Sequence, residues 1–126
     1  MIVGIGTDIV EVERVRESLD RFGERFANRI LSETELVHYR STRMQVHFLA
    51  KKFAAKEAAA KALGTGMKNW VAFRQFVVLK LESGAPQLIL EGRARELAKE
   101  KGINGLHISI SDERAYALAF VVMEHR

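Results

Sequence analysis

The apolar positions of this chain alternate between helical and extended spacing. Residues 2–7 are β-branched and glycine-rich and read as a short strand entering a turn. Val12, Val15, Leu19 and Phe22 then recur at helical spacing, which predicts a first helix ending near Gly23. Ser32 and Glu35 have the S-x-x-E spacing of a capping box, so a second helix is expected to begin there. From Val46 to Leu63 strong helix formers dominate, and Gly64 supplies a stop. Phe73–Leu81 and Gln87–Leu90 read as strands joined through Ser83-Gly84-Ala85-Pro86. A helix over Gly92–Lys101 stops at Gly102, and Leu106–Ser111 with Tyr116–Met123 make a closing strand pair. No segment repeats. The expected fold is α+β, a single small domain over residues 1–126 with a long alanine-rich helix packed on a mainly antiparallel sheet.

Composition narrows the function classes. At 126 residues the chain suits one domain with a modest core. Hydrophobic residues at 48% and charged residues at 29% exclude wholesale disorder. There is no cysteine, which removes disulfides, thiol catalysis and cysteine-based metal sites. The N-terminus lacks the basic start and apolar stretch of a signal peptide, and no apolar run approaches the roughly 18 residues of a membrane span. A cytoplasmic protein without a membrane partner is the default expectation. The net charge of +4 favours acidic partners. Arginines cluster at 14, 16, 21, 25 and 29, and lysines at 51, 52, 56 and 61; each cluster reads either as a solvated helix face or as a docking surface.

Three segments carry candidate chemistry. In Gly4-Ile5-Gly6-Thr7-Asp8-Ile9, glycines permit close approach of a ligand or another backbone, and Asp8 is either a functional carboxylate or a helix cap. In the long helix Glu57 and Lys61 lie one turn apart, on a face otherwise lined by Val46, Ala50, Phe53 and Ala54. They form either an ordinary i,i+4 pair or a site partly withdrawn from water, where a charge needs a partner or a metal. Gly64-Thr65-Gly66 is either an anion-binding nest or a plain helix stop. His107 opens an apolar strand and is either structural or part of a site. Two hard carboxylates, Asp8 and Glu57, with lysines nearby would suit metal-assisted phosphoryl-type transfer.

These residues resemble a known family. Gly4-Ile5-Gly6-Thr7-Asp8-Ile9-Val10-Glu11 is similar to the first signature of the holo-acyl-carrier-protein synthases, the short class of phosphopantetheinyl transferases. The stretch from Phe48 through Lys56-Glu57-Ala58 and Lys61 to Gly66 resembles the second. Arg25-Phe26, Arg29–Ser32 with Glu35, and His107–Arg114 with Tyr116-Ala117 extend the likeness over essentially the whole chain. Two positions depart: Lys52 stands where many members carry arginine, and Asp112 where others place histidine or threonine. A lysine keeps the charge but not the bidentate fork, and Asp112 receives no role.

The resemblance implies the phosphopantetheinyl transferase fold and a Mg²⁺-dependent transfer of 4′-phosphopantetheine from coenzyme A to a serine of acyl carrier protein, serving fatty acid biosynthesis. It implies Asp8 and Glu57 as Mg²⁺ ligands and Lys61 as a β-phosphate or proton-transfer group. Lys52, Gly64 and His107 would hold the nucleotide, and Arg14, Arg21, Arg25 and Phe26 would face the acidic carrier protein. Candidates for the general base are a metal-bound water, Glu35 and Lys61. A homotrimer with sites between subunits is implied as well. Two rivals stand beside this reading. A basic nucleic-acid module would interleave exposed aromatics with its charges, whereas Phe48 and Phe53 read as core, so no nucleic-acid partner is expected. A non-catalytic trimer binding coenzyme A or the carrier protein would not need both Asp8 and Glu57.

Overall fold

The computed structural model describes residues 1–126. In chain order the elements are β1 (Ile2–Glu11), α1 (Val12–Phe22), α2 (Glu24–Ile30), α3 (Glu33–Ser41) and α4 (Gln45–Leu63), followed by β2 (Phe76–Lys80), β3 (Pro86–Leu90), α5 (Gly92–Glu100), β4 (Gly105–Asp112) and β5 (Tyr116–Glu124). Strands β1, β5 and β4 form an antiparallel sheet in that order, and β2 with β3 forms a separate antiparallel ribbon. The expected α+β architecture holds. The long helix α4 lies on the three-stranded sheet and contributes Leu49, Leu63 and seven buried alanines to a core shared with every layer.

Contact between α4 and β1 depends on the absence of side chains. A Cβ placed on Gly4 would sit 1.9 Å from the Ala62 carbonyl oxygen, and one on Gly6 would sit 2.0 Å from that of Ala58. Both obstacles are backbone and cannot swing aside. Gly6→Ala is expected to destabilise the protein by about 3 kcal/mol, the upper end for overpacking. Chemical denaturation checks this, and an unchanged midpoint would contradict the close packing.

Several boundaries differ from the sequence reading. Strand β1 runs to Glu11 instead of ending at a turn near residue 7. The following helix has Glu11 at its N-cap with no side-chain cap bond, so Asp8 is not a helix cap. Helix α2 was not anticipated, because its seven residues are too few to establish a period. Residues 73–75 form a 3₁₀ turn ahead of β2, which shortens the expected strand. The capping box of α3 is present as read: Ser32 Oγ accepts from Glu35 N–H, and Glu35 accepts from Ser32 N–H.

Candidate functional site

A cleft of about 430 Å³ opens along the free face of α4. Asp8, Ile9, Val10 and Glu11 of β1 line one flank, Arg14, Val15 and Ser18 of α1 another, and Phe26, Phe53, Glu57 and Tyr116 complete it. The alternation of β1 explains why Asp8 is here. Its neighbours on the same face are Gly4, Gly6 and Val10, opposite Met123, Val121 and Ala117, all turned toward α4. Phe53 stacks on Phe73 at 5.3 Å and tilts against Phe26 at 6.5 Å, making an aromatic wall beside Glu57.

Lys61 reaches across to β1, donating to Thr7 O at 3.0 Å and to Asp8 Oδ1 at 3.4 Å. Of the two readings of Glu57 and Lys61, the ordinary i,i+4 pair is not formed, and Lys61 contacts Asp8 instead. Burial pushes the Asp8 carboxyl above its ordinary range, and Lys61 only partly opposes this. Burial also raises Glu57, with the Asp8 charge adding to the rise and Lys61 again opposing it. Two half-withdrawn carboxylates thus share one cleft and one ammonium. That imbalance is what a bound hard cation relieves, and the all-oxygen donor set suits Mg²⁺.

The other candidates fall in different places. Arg14 lines the cleft and pairs with Glu11 at 3.6 Å; Arg21 lies over the Phe22 ring at 5.2 Å. Arg25 is exposed near Phe26. Lys52 projects roughly 140° around α4 from Glu57, where it donates to Val78 O at 2.6 Å and lies over Phe48. Burial lowers its pKa to about 8. The Gly64, Thr65 and Gly66 N–H groups all point back to Ala60 O, so this segment is a helix stop and not an open nest. His107 sits on the sheet face opposite α4 and contacts Glu124 at 2.9 Å. Within one chain, Lys52, Gly64 and His107 do not reach the cleft.

Glu35 requires a correction. Its side chain is buried, and it accepts from Ser32 N–H at 2.8 Å, Val78 N–H at 2.7 Å and Lys56 Nζ at 2.5 Å. A general base must reach the proton it removes. Glu35 has no such route, and the base role is withdrawn from it. Lys56 departs likewise from the solvated face expected of the lysine cluster, because it is fully buried. Phe53 lines the cleft on the helix face it shares with Glu57, while Val15 and Tyr116 carry no local signal for it; Tyr116 enters because it pairs with Glu11, a long-range fact no local pattern carries.

A family model described as the 4′-phosphopantetheinyl transferase superfamily matches residues 4–121. Holo-[acyl-carrier-protein] synthase of Vibrio cholerae is 53% identical over 126 residues, covering 100% of both chains. The chain belongs to the holo-[acyl-carrier-protein] synthase family. It is therefore an enzyme of the phosphopantetheinyl transferase class. Among solved synthases, that of Neisseria meningitidis superposes with a TM-score of 0.92 at 44% identity, covering 98% of this chain and 99% of its own. The Bacillus anthracis synthase, solved in complex with CoA (3′,5′-ADP), gives a TM-score of 0.85 at 37% identity, with coverage of 100% and 99%.

Proposed function

We propose that this protein transfers 4′-phosphopantetheine from coenzyme A to a serine of apo-acyl carrier protein with Mg²⁺, in the cytoplasm, and so supports fatty acid biosynthesis. The convergence of Asp8 and Glu57 in one cleft, each with a raised pKa, is the observation that carries it. Asp8 and Glu57 are the residues that would hold the cation. When bound, Mg²⁺ supplies charge stabilisation to the phosphoryl oxygens.

The chain's own groups do the rest. The serine Oγ forms a bond to the β-phosphorus of coenzyme A, and the bond to adenosine 3′,5′-bisphosphate breaks. Lys61 has three donors, of which Thr7 O and Asp8 take two, so one remains for a phosphate oxygen. As an ammonium Lys61 has no lone pair for the serine proton, so its part here is to hold the phosphate and not to act as the base. The aromatic wall of Phe26 and Phe53 would shield the reacting centre on one side.

Assembly as a trimer completes the proposal. The sheet face away from α4 exposes Ile5, Ile9, Leu118 and Phe120, which lie side by side on β1 and β5. So apolar a face on a small chain suits an interface with further copies. His107 opens on that same face, beside Val122, which would let it reach a neighbour's nucleotide; Lys52 and Gly64 keep their nucleotide roles only on the same condition. No helix is long and apolar enough to cross a membrane.

Arg14, Arg21, Arg25 and Phe26 would meet the carrier protein. Arg14→Glu or Arg25→Glu is expected to raise KM for carrier protein about tenfold while changing that for coenzyme A less than twofold, and added salt should shrink the difference. Steady-state kinetics at two ionic strengths checks this. A selective rise in KM for coenzyme A would put the two substrates on the wrong surfaces.

A further inference from the structure

Lys56 and Glu35 form a fully buried ion pair that the transfer reaction does not use. Lys56 Nζ donates to Glu35 Oε1 at 2.5 Å and to Ile30 O at 2.8 Å, and Glu35 Oε2 accepts from Val78 N–H. The pair therefore ties α4 to three other elements at one point: the last turn of α2, the start of α3, and β2. No buried side-chain polar atom in the cluster lacks a partner.

A buried ion pair is a poor source of net stability, because desolvation consumes most of the attraction and a well-packed apolar pair often does as well. What it provides instead is direction. The sheet-facing side of α4 is almost all alanine, including Ala54, Ala55, Ala58, Ala59 and Ala62, and it lies on glycines of β1. Such a surface lets the helix approach closely but offers few large knobs to fix its rotation. Three directional hydrogen bonds around Lys56 and Glu35 do fix it. Glu57, the next residue, projects about 100° away into the cleft. A rotation of about 10° would move a side chain at the helix surface by about 1 Å. Displacements of about that size can cost roughly a hundredfold in rate.

We propose that the buried Lys56–Glu35 pair is a positioning device that locks the rotation of α4 against α2 and so aims Glu57 and Lys61 at the cleft bordered by Phe26. Because Lys56 holds the final carbonyl region of α2, the same bond sets the spacing between the arginine-bearing partner surface and the carboxylates. The proposal rests on the reading of Glu57 as a cation ligand.

The test compares Glu35→Leu/Lys56→Met, Glu35→Gln and Glu57→Gln with the wild type. Melting temperature, kcat and KM at saturating Mg²⁺, and Mn²⁺ affinity with coenzyme A bound, followed by water-proton relaxation, are measured for each. The double variant leaves Ser32 N–H and Val78 N–H without an acceptor and Ile30 O without a donor, so it is expected to melt below the wild type while remaining folded, and to lose about tenfold in kcat and about tenfold in Mn²⁺ affinity. Its KM for coenzyme A should move less than threefold, a split that a merely structural role would not produce. Glu35→Gln keeps the shape of the side chain and should shift kcat and Mn²⁺ affinity in the same direction by about threefold. A folded double variant or a folded Glu35→Gln with wild-type kcat and Mn²⁺ affinity would overturn the proposal. So would failure of both to fold, which would make the pair a stability element. Glu57→Gln that binds Mn²⁺ as tightly as the wild type would overturn the ligand reading beneath it, whatever the pair variants do.

Discussion

Asp8→Asn and Glu57→Gln are each expected to lower phosphopantetheine transfer by about a hundredfold or more. Loss of an outer-shell partner alone costs 10–100-fold in many metal sites, and these substitutions remove a direct charged ligand. The fold should survive, for a reason that lies in the burial of the two carboxyls. Burial holds both carboxyls above their ordinary range. The folded chain therefore keeps their protons more tightly than the unfolded chain does. Their contribution is most favourable below the ordinary carboxylate range and is lost as pH rises through the raised values. At neutral pH, in the absence of metal, each charge is a net burden on the fold. Removing either should leave the melting temperature of the metal-free protein unchanged or higher. Calorimetry in chelator and a transfer assay at saturating Mg²⁺ check the two halves. Near-wild-type turnover in either variant would remove that residue from the metal site.

Mixing Glu57→Gln with His107→Ala should restore activity that neither variant shows alone. Glu57 lines the cleft, while His107 opens on the far face of the sheet beside the exposed Ile5 and Phe120. If a neighbouring copy brings its His107 to this chain's cleft, random mixed trimers carry some sites with both natural residues. In a head-to-tail ring at equal mixing these are about a quarter of all sites, so about a quarter of wild-type activity should return. Sedimentation velocity at assay concentration supplies the independent check. A fully active monomer would contradict the oligomeric site.

Much of the fold can be read locally. The capping box at Ser32 and the stop at Gly64 fall where the pattern puts them, because caps and stops depend on a few adjacent residues. Strand β1 is harder to read, since its burial runs opposite to its hydrophobicity. Gly4, Gly6 and Asp8 face α4, while Ile5 and Ile9 face outward. Glycine is inside because α4 leaves no room for a Cβ, and the outward isoleucines lie on the face proposed above as the interface between copies. Lys56 is the second failure. In a helix rich in lysine and alanine it reads as solvated, and its buried partner Glu35 comes from another helix. The carboxylates of the cleft are legible as candidates, because Asp8 follows a glycine-flanked strand and Glu57 lies on an apolar helix face, and the resemblance assigns them as ligands. The contact of Lys61 with Asp8 is not, because it depends on how closely β1 approaches the helix.

The most direct test of the account is the intact mass of purified apo-acyl carrier protein after incubation with this protein and coenzyme A. With Mg²⁺ present the carrier should gain the mass of one phosphopantetheine, and adenosine 3′,5′-bisphosphate should appear in equal amount. In chelator, or with Glu57→Gln in place of the wild type, the carrier mass should stay unchanged. Transfer that proceeds equally well in chelator, or a carrier left unmodified with Mg²⁺ present, would contradict a cation-dependent transferase built on Asp8 and Glu57.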